Sequence, residues 1–132
     1  MKTRRSTRAV ATVVALTSAV VLACGHCDED RIAAVYDHAL SQRTLALRHE
    51  IIFFAWDGAV ALSDASRQKM LALGEAVPGV DKGSTRVSMA PAALSVAFAP
   101  HRYSAQAVEA ALKQKLASMK LTLVRLPNPV IK

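Results

Sequence analysis

Cys24 and Cys27 are the only cysteines in the chain, and they stand three positions apart around Gly25 and His26. Two thiolates at that spacing can turn toward one centre. Paired sulfur is a soft donor set that suits Cu(I), and an imidazole adds a nitrogen suited to Zn(II) or Cu(II). The expected metal ligands are therefore Cys24 and Cys27, with His26 as an auxiliary and Cu(I) or Zn(II) as the ion. A helix is expected to begin directly after Cys27, and a helix N-terminus favours the thiolate form of a cysteine placed there. Asp28, Glu29 and Asp30 complement the dipole of that helix but repel a neighbouring thiolate. The spacing alone leaves thiol–disulfide exchange and a short structural disulfide open as well.

What precedes the cysteines sets their compartment. Lys2, Arg4, Arg5 and Arg8 form a basic start, and Ala9 to Ala23 is an uncharged, mostly apolar run ending in small residues. This is the pattern of a secretory signal peptide over residues 1–23. The run falls short of the ~20 residues that span a bilayer comfortably. Its removal takes four of the 17 basic residues and none of the ten acids, so the charge falls from +7 to +3. With 5% aromatics and no basic stripe, no nucleic-acid partner is expected. Val21-Leu22-Ala23-Cys24 also resembles a bacterial lipobox, which would make Cys24 the lipidated first residue of a membrane-anchored lipoprotein. The expected location is thus exported, either free in the periplasm or anchored by lipid. A thioether at Cys24 and a two-thiolate site exclude each other.

The mature chain, 24–132, reads as one domain. Ile32, Val35, Tyr36, Ala39 and Leu40 recur at helical spacing, and one cysteine-led helix is expected over 24–46, its regular part from Asp28 to about Leu45. Glu50 to Trp56 is a continuous apolar run closed by Asp57-Gly58, the mark of a central strand. Ser63 or Asp64 caps a second helix with Met70, Leu73 and Val77 inside, ending near Gly74 and Pro78-Gly79. Thr85 to Met89 alternates, Ala90-Pro91 turns the chain, and Leu94, Val96 and Phe98 alternate with Ser95, Ala97 and Ala99 as an amphipathic strand. Ser104 caps a third helix with Val108, Ala111, Leu112 and Leu116 inside, and Leu121 to Leu126 is the last strand before Pro127. The expected fold class is α+β: a ferredoxin-like βαββαβ sandwich over 50–126, preceded by an extra N-terminal helix.

Several of these segments resemble the heavy-metal-associated domains of copper chaperones and metal-transporting ATPases. The resemblance is carried by Pro78-Gly79-Val80, Val87-Ser88-Met89, Val96-Ala97-Phe98-Ala99-Pro100, and Ser104 with Val108 and Ala111-Leu112. It implies the ferredoxin-like fold and a metal-binding role. That family carries a Met-x-Cys-x-x-Cys loop after the first strand. Here the loop is Gly58-Ala59-Val60-Ala61-Leu62-Ser63-Asp64, with Ala61 and Asp64 near the cysteine positions and no soft ligand. The Cys24-Gly25-His26-Cys27 stretch resembles that cysteine loop displaced to the mature N-terminus. It is equally similar to the active-site tetrapeptide of protein disulfide isomerases. The isomerase likeness, however, would place Trp before the first cysteine, where this chain has Ala23.

No Ser–His–Asp spacing, glycine-rich phosphate loop or paired-carboxylate pattern supports an enzyme. His49 at a strand entrance and His101 after Pro100 are expected to be solvated, and Trp56 to be core. The functional expectation is an exported, non-enzymatic protein that binds or relays copper or zinc through Cys24, Cys27 and His26. The alternative is an envelope lipoprotein, lipidated at Cys24, whose metal-binding-type fold has become an interaction module. It would meet an envelope protein through an open sheet edge or an uncovered sheet face.

Overall fold

The computed structural model describes residues 27–129. In chain order these form α1 (Asp28–Val35), α2 (His38–Ala46), β1 (Glu50–Asp57), α3 (Asp64–Glu75), β2 (Arg86–Ser88), β3 (Ala93–Phe98), α4 (Ala105–Ala117) and β4 (Thr122–Arg125). The four strands make one antiparallel sheet in the order β2-β3-β1-β4. From β1 onward the connectivity is βαββαβ, and the fold is ferredoxin-like. No helix among the described residues is long and apolar enough to cross a membrane.

The apolar run of β1 places it at the centre of the sheet. Its register pairs Ile52 with Val96 and Phe54 with Leu94 on β3, and Phe54 with Arg125 on β4. One face of the sheet packs Ile52, Phe54, Trp56, Leu94, Val96, Phe98 and Leu123 against Met70 of α3 and Val108, Leu112 and Leu116 of α4. The Trp56 indole donates to the Ser88 carbonyl at 3.0 Å, so the ring is core with its one polar atom satisfied. Ser63 and Ser104 are the N-caps of α3 and α4, their hydroxyls accepting from Ser66 N and Ala107 N. α3 ends at Glu75, next to Gly74 as expected, and Gly74 itself is buried in the last turn. A Cβ there would fall 2.7 Å from Thr85 Cγ2, so the helix approaches the chain before β2 as closely as only glycine allows.

Two expectations change. The first is the single helix over 28–45, which is broken at Tyr36 and Asp37, both in extended backbone. Asp37 Oδ1 accepts from Leu40 N at 3.0 Å and restarts the chain as the N-cap of α2. Its other oxygen accepts from Arg86 Nη2 at 2.9 Å and Nε at 3.1 Å, tying the break to β2. The Leu40 N–H and the Arg86 guanidinium hold the Asp37 carboxyl below the ordinary carboxylate range. The helical period runs through the break because a side chain far along the sequence, not local propensity, decides it.

The second change concerns β3, expected to have one wet face. All six of its residues are buried. α1 crosses the face of the sheet opposite α3 and α4, where Val35 packs with Phe53, Ala93 and Leu126, supported by Ile32, Ile51 and Ala55. The Ser95 hydroxyl donates to the Val35 carbonyl at 3.4 Å. The face proposed as a docking surface is therefore largely occupied by the chain's own N-terminal segment. Val124 on β4, 63% exposed, lies beyond that cover.

The turn after α3 is closed by a carboxylate. Glu75 accepts from Gly83 N at 2.8 Å and from Thr85 N at 3.0 Å. Burial pushes the Glu75 carboxyl up, but the two N–H donors outweigh it and hold the group below its ordinary 4.5. A carboxyl depressed by folding stabilises the fold above its unfolded pKa, and that contribution is lost as pH falls through the lower folded value. Urea midpoints of the wild type are thus expected to decline as pH drops below about 4.5. Glu75→Gln is expected to lower the unfolding free energy at neutral pH by on the order of 0.5–1 kcal/mol and to flatten the acid decline. Equal acid slopes in the two proteins would contradict this role.

Candidate functional site

Of the three expected metal ligands, Cys24 and His26 lie outside the described residues. Cys27 is exposed and is the N-cap of α1, with an extended backbone and no side-chain capping bond. Its carbonyl accepts from Arg31 N at 3.2 Å, which makes it the first backbone acceptor of the helix. The sulfur is thus carried on an open helix N-terminus whose first turn holds Asp28, Glu29 and Asp30. Arg31 Nη1 lies 3.7 Å from Asp28 Oδ1 and offsets part of that negative charge. α1 is fixed to the body through Val35 and Ile32. Anything held at Cys27 is therefore carried beside a rigid sheet.

The loop between β1 and α3 offers no competing soft site. Ala61, Leu62, Ser63 and Asp64 are all exposed, and the Asp64 carboxylate is paired with Arg67 Nη2 at 2.9 Å. Among the described residues, no three His, Cys, Asp or Glu side chains come together in a group able to hold a metal ion.

A polar cluster stands at the other end of the sheet. His49 was expected to be solvated, yet its side chain is only 17% exposed, and Nδ1 lies 2.6 Å from Asp81 Oδ2. The His101 ring lies 5.9 Å from the His49 ring, inclined at 48°. Both border a shallow cleft of about 440 Å³ with Asp81, Lys82, Arg102 and Tyr103. Sequence reading missed the grouping because His49 and Asp81 are separated by 32 residues and meet only through the sheet. The one available signal was that His49 immediately precedes β1 while His101 closely follows β3. Neighbouring antiparallel strands bring those two ends together.

No protein-family profile matches the sequence, and no curated protein gives a match. Solved structures do resemble the chain. MerP from Ralstonia metallidurans, in its oxidised form, is 16% identical with a TM-score of 0.47, covering 60% of this chain and 99% of that one. A copper-binding domain from HMA7, a P-type ATPase, is 17% identical with a TM-score of 0.46, covering 58% of this chain and 93% of that domain. The N-terminal domain of the zinc(II) ATPase ZiaA in its apo form is 20% identical with a TM-score of 0.46, covering 59% and 99%.

Proposed function

We propose that the protein is an exported, non-enzymatic carrier that binds a soft metal ion, Cu(I) or Zn(II), through Cys24 and Cys27 with His26 as an auxiliary ligand. The observation that carries this reading is the exposed Cys27 on the open N-terminus of α1, with the only other cysteine three residues before it. Two thiolates and an imidazole are a donor set for these ions and a poor one for hard cations. The docking of α1 on the sheet supports a carrier role, because Cys27 stands at the start of a helix packed on a folded body and can be presented to a receiving site without unfolding it.

Anaerobic Cu(I) titration of the full-length chain against a chromogenic chelator tests the proposal. One Cu(I) per chain is expected for the wild type, and Cys27→Ser is expected to lose it to the competitor. Equal uptake by both proteins would remove the site. The second reading, an anchored lipoprotein, is favoured by the Val21-Leu22-Ala23-Cys24 stretch. It predicts a diacylglycerol-sized mass on the peptide that begins at Cys24, whereas the carrier requires a free thiol there.

A further inference from the structure

We propose that His49 and His101 form a second metal site, at the end of the sheet away from the β1–α3 loop, for a borderline divalent ion such as Zn(II), with Asp81 as the positioning residue. It stands independently of the cysteine reading, since it uses none of the same residues.

The backbone fixes all three groups. His49 N donates to Thr44 O at 2.9 Å, closing the turn between α2 and β1. His101 follows β3 in a turn closed by Arg102 N and Tyr103 N, both donating to Ala99 O. Asp81 N donates to Ala97 O at 2.8 Å, and Val80 bridges Phe98, so the carboxylate is anchored to the same strand end. Glu50 pairs with Phe98 across the sheet, which is why residues before β1 and after β3 share one edge of the cleft.

The hydrogen bond then sets the chemistry. With Nδ1–H of His49 donating to Asp81 Oδ2 at 2.6 Å, Nε2 carries the free lone pair. A carboxylate behind an imidazole in this way fixes its tautomer and the orientation of its ring. Two imidazoles that share one ion at ~2.0–2.1 Å per Zn–N bond place their ring centres roughly 5–6 Å apart. The observed 5.9 Å lies in that range. Two nitrogens leave the remaining positions to water, in a cleft open to solvent. Lys82 and Arg102 border the same cleft and repel any cation. That repulsion weakens the site for every divalent ion alike, and the preference among ions comes from the two imidazole nitrogens.

The test uses the full-length chain with Cys24→Ser and Cys27→Ser, titrated with Zn(II) alone and followed through the imidazole proton resonances and by competition with a zinc indicator. Zn(II) is expected to shift the His49 and His101 resonances together while leaving that of exposed His38 in place. Adding His101→Ala is expected to abolish the uptake, and this exposed residue puts the fold at little risk. Asp81→Asn is expected to weaken binding by about 10–100-fold without removing it. Absence of any shift at His49 and His101, or uptake unchanged by His101→Ala, would overturn the second site and leave the cysteine proposal untouched.

Discussion

Phe54→Ala is expected to be the most damaging single truncation in this chain, with a cost of about 3–5 kcal/mol. The side chain is 0% exposed at the middle of β1 and belongs to the cluster that joins the sheet to α3 and α4. Its strand neighbours are held in register by backbone pairing to both β3 and β4, so the walls cannot collapse into the space the ring leaves. A small domain commonly has only ~5–15 kcal/mol of stability in all. The variant is therefore expected to show a much lower urea midpoint and a population of unfolded chains at physiological temperature. An unfolding free energy within ~1 kcal/mol of wild type would mean that the core relaxes far more than such a sheet permits.

Val35→Asp is expected to cost on the order of 2–4 kcal/mol, because it puts a carboxylate among apolar groups while Arg86 and Arg67, which border the same cleft, are already paired with Asp37 and Asp64. Val35 is 4% exposed and touches Phe53, Ala93 and Leu126, so the penalty measures how firmly α1 covers the sheet. Val124→Asp is the control. It sits on the same side of the sheet but is 63% exposed, and its effect is expected to stay within ~0.5 kcal/mol. Equal midpoints for the two variants would mean that α1 is not docked. The idea that the N-terminal cysteine rides on the body would fall with it.

The contrast between these residues also marks what the sequence could reveal. β1 and the βαββαβ order were legible because an uninterrupted apolar run, serine caps and proline stops are local signals. The break between α1 and α2 was not, since Asp37 caps α2 while gripping Arg86, 49 residues away. The second burial of β3 was half visible. Ser95, Ala97 and Ala99 are small and uncharged, which a wet face does not require, but nothing local named α1 as their cover. The cysteine spacing was plain in the sequence, and the structure adds the placement of Cys27 at an exposed helix start. The His49–Asp81 link arises only when strand pairing brings distant segments together.

The sheet's outermost strands are its shortest, three residues in β2 and four in β4, while β1 runs for eight. A foreign strand seeking to extend the stack would find only a brief template on either side. On β2 it would also meet the Arg86 guanidinium, already committed to Asp37. Short margins of this kind discourage fibril-like growth between copies. A partner strand that did pair with either margin would find a ladder of only three residues on β2 or four on β4.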